Sequence, residues 1–271
     1  MNLVPDGPMI FPFNPTLTNT IAAKFAPVVP FHFYQQFLLH NYIPQSILLL
    51  AHDVVAHPQE YEELFMDVRW KNTTIFMDNS LVELKKAVDI NMVHEAVEIV
   101  GPHKRRVVVI CPDVMAEAQA SAKLTKDSWP EWAWKFRNFE KLVVIQGSNM
   151  PGFIGCAEEL AELDPEWVSI PRVTEGLWGY HRRELIPYIK AIFPGSKIHL
   201  LGFSDYIWED LRAAGHPDVR SIDSAVPFRM ATNDILSEQI PPRGNWWDTA
   251  QFSKDCLPRV ERINSLINLL R

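Results

Sequence analysis

Three aspartates and one glutamine stand at or just past the ends of short apolar runs. Asp78 follows Thr74–Met77, Asp113 comes shortly after Val107–Ile110, Gln146 follows Leu142–Ile145, and Asp223 follows Val219–Ile222. Carboxylates gathered on one surface can exchange protons with a ligand or attack an electrophilic carbon. A carboxamide beside them can read a ligand's donors and acceptors. Any one Asp in such a place is more often the cap of the next helix. Four such residues at successive run ends are harder to dismiss. His52-Asp53, Pro171-Arg172 and Gly202 occupy three further run ends.

Histidine and cysteine offer less. His52 and His57 flank one run end, but the fifth and sixth runs end in Gln146 and Pro171, which are not typical zinc ligands. Cys111, Cys156 and Cys256 are far apart and odd in number, which excludes a disulfide framework and a Cys-dense zinc module. Core packing is their expected role. There is no Walker loop and no Gly-x-Ser-x-Gly turn. We expect no metal and no cofactor.

The elements that position these residues follow from the apolar runs themselves. Met9–Phe13, Ser46–Ala51, Thr74–Met77, Val107–Ile110, Leu142–Ile145, Trp167–Ile170, Ile198–Leu201 and Val219–Ile222 are short and rich in β-branched or aliphatic residues. Such runs suit strands buried on both faces of a parallel sheet. Amphipathic helices are predicted between them over Pro58–Trp70, Glu83–Val100, Gly152–Leu163, His181–Phe193 and Asp205–Ala214. Lys254–Arg271 is predicted to form a C-terminal helix. The Trp-rich Ser128–Phe139 segment reads as a helix packed on the exterior, with an inserted lid as the alternative. Eight strands alternating with helices point to an α/β fold, a (β/α)8 TIM barrel occupying residues 1–271 as one domain. An open doubly wound sheet would want a Gly-rich turn after an early strand, and none is present. A barrel gathers its strand ends at one mouth, so the three aspartates and Gln146 are expected to converge there.

The 271 residues carry 26 basic and 33 acidic side chains, a net charge of −7. That argues against a sequence-blind nucleic-acid coater but allows a local basic rim. Lys104-Arg105-Arg106, Arg182-Arg183 and Arg229 are the candidates. No apolar run is long enough to span a membrane, and no Lys or Arg precedes Lys24, so the start lacks the basic region of a signal peptide. A soluble, cytoplasmic protein is the expectation (host cytoplasm if the gene is carried by a phage).

The stretch His199-Leu200-Leu201-Gly202-Phe203, followed by Asp223, Pro227 and Arg229 at their spacing, resembles the end of the tRNA-guanine transglycosylase barrel. There a Leu-Met-Gly strand precedes Asp-x-x-x-Pro-Thr-Arg. Phe76-Met77-Asp78-Asn79-Ser80 resembles that family's Asp-Ser-Gly-Gly segment, Cys111-Pro112-Asp113 its base-reading aspartate segment, and Val144-Ile145-Gln146-Gly147 its Val-Gln-Gly. The resemblance spans roughly residues 70–230. The family's zinc site is absent, its Gly-Gly-Leu loop is replaced by Ile170-Pro171-Arg172-Val173, and Val82 stands where an aromatic is usual. Small size and missing zinc make the chain more similar to the DNA-modifying 7-deazaguanine transglycosylases of phages and bacterial islands.

The resemblance implies a pentosyltransferase. Asp223 would attack C1′ of a guanosine nucleotide in DNA and Asp78 would serve as acid and base. A 7-deazaguanine base of the preQ0 type would then replace guanine with net retention. It implies that Asp113, Gln146, Gly147, Leu201 and Gly202 bind the base, while Arg229, Arg182 and Arg183 hold phosphates. Action on tRNA is the first alternative. A barrel metallohydrolase and a non-catalytic binding subunit are the others, and a homodimer or partner subunit is left open.

Overall fold

The computed structural model describes residues 23–101, 106–175, 179–203, 207–232 and 254–258. Eight parallel strands alternate with helices. In chain order they are β1 (Lys24–Pro27), α1 (Phe31–Leu39), β2 (Ser46–Leu50), α2 (Ala51–Ala56), α3 (Pro58–Met66), β3 (Thr74–Asp78), α4 (Leu81–Leu84), α5 (Ile90–Val100) and β4 (Val107–Ile110). Then come α6 (Ala118–Lys135), β5 (Glu140–Val144), α7 (Met150–Ala161), β6 (Trp167–Pro171), α8 (Arg182–Ile192), β7 (Lys197–Leu201), α9 (Ile207–Ala214), β8 (Val219–Ser224) and α10 (Val226–Thr232). The ladder runs β1-β8-β7-β6-β5-β4-β3-β2, which is the expected (β/α)8 barrel.

Seven strands coincide with the predicted runs. The first does not: Met9–Phe13 lies outside the described residues, and the barrel's first strand is Lys24–Pro27, paired with β8 from Lys24↔Ser221 to Pro27↔Ser224. The single helix predicted over Glu83–Val100 is two. Lys85 has a left-handed backbone (φ 62°), and α5 restarts where the Asp89 side chain accepts the Asn91 and Met92 amides. The Trp-rich segment takes in the C-terminal part of α6 and runs past its end at Lys135; it is an exterior helix rather than a lid, with Trp132 buried against Phe136. Of the predicted C-terminal helix only residues 254–258 are described, and they include a short 3₁₀ turn at Lys254–Cys256.

Strand periodicity sorts the core into two compartments. Ala26, Leu48, Leu50, Phe76, Val108, Ile110, Leu142, Val144 and Trp167 fill the barrel interior. The alternate residues, among them Ile47, Leu49, Ile75, Met77, Val109 and Val143, pack outward against the helices. At the N-terminal end, Glu140 receives Arg106 (2.8 Å), Lys197 (2.7 Å) and the Trp167 indole N–H (2.5 Å). Burial pushes the Glu140 carboxyl up, yet these donors outweigh it and hold it down at about 2. Arg106, expected on a nucleic-acid rim, thus lies at the end of the barrel away from the mouth. Lys104 and Arg105 lie outside the described residues.

The seam between β1 and β2 is closed by side chains. The Ser46 hydroxyl donates to the Phe25 carbonyl (3.3 Å), and the buried Tyr34 hydroxyl of α1 lies between the carbonyls of Leu48 (3.1 Å) and Pro27 (3.4 Å). Burial raises the Tyr34 hydroxyl far above its ordinary pKa, so it remains a donor at any working pH. Tyr34→Phe keeps the ring in place and removes only this bridge. We expect it to lower stability by about 1 kcal/mol, read as a lower urea midpoint at unchanged slope. An unchanged midpoint would mean that the hydroxyl takes no part in closing the barrel.

Candidate active site

Because the strands are parallel and in register, their C-terminal ends rise to one mouth. A cavity of about 240 Å³ opens there, lined by Asp78, Asn79, Glu83, Asp113, Gln146, Arg172, Leu201, Gly202, Asp223 and Arg229 among others. Apolar walls come from Leu48, Leu50, Val82, Met115 and Phe203. The structure therefore brings together six of the seven residues expected to do chemistry or bind the base: Asp78, Asp113, Gln146, Leu201, Gly202 and Asp223. Gly147, the seventh, does not line the cavity. A Cβ there would stand 2.6 Å from the Phe153 amide nitrogen, so the glycine permits close passage of the start of α7.

Asp113 is buried at 4% exposure inside a ring of amides. Its Oδ1 accepts from Asn79 Nδ2 (3.0 Å) and its Oδ2 from Gln146 Nε2 (2.7 Å). Asn79 Nδ2 also donates to the Cys111 carbonyl (2.8 Å), and Gln146 Oε1 accepts the Ala116 amide (2.9 Å). Gln146 is thus a clamp on Asp113 more than a free reader of a ligand. Both neighbours present donors, so an acceptor-only carboxylate is the group that fits. Burial pushes Asp113 up to about 6, against the pull of the two amide bonds. Asp113 is not a helix cap: α6 starts beyond it, after Glu117.

Asp78 ends β3 and takes the Ser80 amide on Oδ2 (3.2 Å), a local turn in which Ser80 has φ 61°. Burial raises its carboxyl well above the usual carboxylate range, and the charges of Glu83, Asp113 and Asp223 push it further up. Asp223, on β8, is held differently. Its Oδ1 accepts the Gly202 amide (2.9 Å) and lies 3.0 Å from His199 Nε2. Gly202 can offer that amide because it adopts φ 77°, a left-handed turn in which a Cβ would press on the Arg172 side chain at 3.0 Å.

The residues expected to hold phosphates divide. Arg229 lines the cavity. Arg183 is exposed on α8 and does not line the cavity. Arg182 is completely buried, which corrects its assignment. Its guanidinium pairs with Asp210 of α9, and it donates to the carbonyls of Ile170 (3.3 Å) and Gly202 (2.9 Å). Its backbone amide meets Glu175 (2.8 Å), which also pairs with His181. Arg182 is a brace joining the ends of β6 and β7 to α9, and it supports the Gly202 turn from beneath.

His52 and Asp53 lie within α2 and do not line the mouth; Asp53 is taken by the Tyr61 hydroxyl (2.5 Å). Among the described residues no group of three or more His, Cys, Asp or Glu side chains is arranged to hold a metal ion. No helix among the described residues is long and apolar enough to cross a membrane. Residues that sequence reasoning missed are Asn79 as a clamp and His199 with Ser221 behind Asp223. His199 could have been found by its spacing: it stands two residues before Leu201, on the face of β7 that turns inward.

The chain is similar to the YdjI aldolase from Escherichia coli K12, at 10% identity over 92% of this chain and 88% of that one, with a TM-score of 0.54. It is similar to KGPDC from Streptococcus mutans, at 9% identity, 92% and 99% coverage and a TM-score of 0.52. It is also similar to orotidine 5′-monophosphate decarboxylase from Methanocaldococcus jannaschii, at 12% identity, 91% and 99% coverage and a TM-score of 0.51. No protein-family model matches the chain, and no curated protein matches it. At these identities the likeness shows the barrel fold alone. These neighbours are aldolase and decarboxylase barrels rather than transglycosylases, which overturns the expected base exchange in DNA or tRNA and the pentosyltransferase assignment. The site agrees with that correction, since one of the three expected phosphate-holding arginines is spent inside the fold and another does not reach the cavity.

Arg182→Ala would remove the buried guanidinium that joins Asp210 to the Ile170 and Gly202 carbonyls. We expect a loss of about 3–5 kcal/mol in stability, measured by chemical denaturation. A small loss would mean that the brace is dispensable.

Proposed function

We propose that the chain is an enzyme that moves protons on a small ligand in the barrel mouth, a flat ring with an N–H-bearing edge such as a cyclic amide or amidine. One observation carries this: Asp78, Asp113 and Asp223 share one small cavity, and each has a different set of partners. Asp113, charged above about pH 6, accepts the ligand's N–H groups on the lone pairs its two amide clamps leave over. Asp78, pushed well above the usual carboxylate range by burial and its acidic neighbours, is the carboxyl placed to give up a proton as a general acid. The Asp223 carboxylate takes a proton from another ligand atom. In the chemical step Asp78 loses a proton and Asp223 gains one, so the charge of the site is unchanged, and proton exchange with water at the mouth resets both groups before the next turnover.

The walls support a ring. Leu48, Leu50, Val82 and Leu201 offer apolar surface to its faces while the polar groups cluster at one end. Four carboxyls (Asp78, Glu83, Asp113 and Asp223) face two guanidiniums (Arg172 and Arg229), a balance that favours a neutral or cationic ligand over a phosphate backbone.

The test is a thermal-shift panel of hypoxanthine, uracil and hydantoin against ribose 5-phosphate and a single-stranded oligonucleotide. The rings should raise the melting temperature of the wild type and not that of Asp113→Ala, whose affinity should fall by about 1–3 kcal/mol. Asp78→Asn should retain binding and lose turnover of whichever ring is accepted; retained turnover would remove Asp78 from the chemistry. Affinity should also weaken as the pH drops through about 6, because protonation of Asp113 removes the charge and an acceptor. Stabilisation by the phosphorylated sugar or the oligonucleotide, with none by the rings, would overturn the reading.

A further inference from the structure

Behind Asp223 lies a hydrogen-bonded chain of buried side chains that itself never touches the cavity. His199 is fully buried inside the barrel, its ring stacked on Phe76 with centroids 4.6 Å apart and planes at 23°. Nε2 meets Asp223 Oδ1 at 3.0 Å and Nδ1 meets the Ser221 hydroxyl at 2.7 Å. With Asp223 read as the proton-accepting carboxylate, Nε2 is the nitrogen that carries the hydrogen and donates it. In a neutral imidazole Nδ1 is then an acceptor, and the buried Ser221 hydroxyl donates to it. The same three residue types form the Ser-His-Asp triad of hydrolases, where the carboxylate orients the imidazole and the hydroxyl meets the substrate. Here the order is reversed. The serine lies at the closed end, and the aspartate lines the cavity.

We propose that His199 is the positioning residue of Asp223: with the Gly202 amide it ties down Oδ1 and leaves Oδ2 as the oxygen that meets the ligand. Ser221 fixes the tautomer and Phe76 fixes the ring plane, so the imidazole cannot turn away. The chain defines which carboxylate oxygen reacts and from which direction. This rests on the reading of Asp223 as the proton acceptor, but its test does not need a ligand.

The test uses the full chain labelled with ¹³C-aspartate and ¹⁵N-histidine. The Asp223 carboxyl carbon is titrated by NMR in the wild type, His199→Phe, His199→Gln and Ser221→Ala. The other charged groups lining the cavity, Asp78, Glu83, Asp113, Arg172 and Arg229, are unchanged throughout. His199→Phe keeps an aromatic ring against Phe76 and removes the donor, so the Asp223 titration should move upward. His199→Gln, which restores an N–H, should bring it back towards the wild-type position. Ser221→Ala should broaden or split the His199 resonances. The wild-type imidazole should show a proton on Nε2 and none on Nδ1.

An Asp223 titration identical in wild type and His199→Phe would make His199 a packing residue and overturn the proposal. So would a wild-type imidazole protonated on Nδ1 and bare on Nε2, a result available even if every variant failed to fold. The ring panel reports on the enzyme reading independently: rings that fail to bind while the titration moves as expected would sink that reading and leave the His199–Asp223 linkage standing.

Discussion

Keeping three carboxyls at the top of an apolar barrel is the constraint around which the rest of the mouth is arranged. Beneath them, apart from His199 and Ser221 behind Asp223, the interior is lined by Ala26, Leu48, Leu50, Phe76, Ile110 and Val144, which cannot solvate a charge. Each carboxyl is made tolerable in its own way. Asp113 receives two amide side chains, Asp223 an imidazole and a backbone amide, and Asp78 only a turn amide, so burial drives Asp78 towards its neutral form. On the proposed reading, these unlike surroundings for like groups are what let one cavity hold both a proton donor and a proton acceptor.

The supports reach outward from there. Gly202 donates its amide to Asp223 and accepts Arg182 on its carbonyl, and Arg182 is anchored by Asp210 on α9. A load path thus runs from an outer helix through a buried guanidinium and a left-handed glycine to the Asp223 carboxylate. Asn79 plays the corresponding part on the other side, tying Asp113 to the Cys111 carbonyl at the end of β4. The ion cluster of Glu140 with Arg106 and Lys197 closes the opposite end of the barrel.

Much of this is legible in the sequence, for definable reasons. Seven strands announce themselves because a strand buried on both faces must be a continuous apolar run, and the residues just past those runs necessarily share a mouth. Lys24–Pro27 escapes because four residues containing a lysine and a proline carry no such signal. The break at Lys85–Asp89 is marked by an aspartate able to cap a helix start, masked by the apolar spacing on either side. Arg182 looks like surface beside Arg183, and only the fold brings Glu175 and Asp210 to it. Short motif likeness at strand ends locates the polar groups correctly and names the wrong chemistry. Asp and Gln at a barrel mouth reflect where a barrel keeps its site, and several reactions can draw on the same positions.

The central claim is that Asp113 anchors a ring's N–H edge while Asp78 and Asp223 exchange protons with it. A crystal structure of the protein soaked with the ring that binds tightest tests this most directly. The account predicts ring N–H groups within hydrogen-bond distance of Asp113, apolar contact with Leu201, and ring atoms reaching Asp78 and Asp223 Oδ2. A ligand seated through Arg172 and Arg229 with Asp113 untouched, or bound outside the mouth, would contradict it.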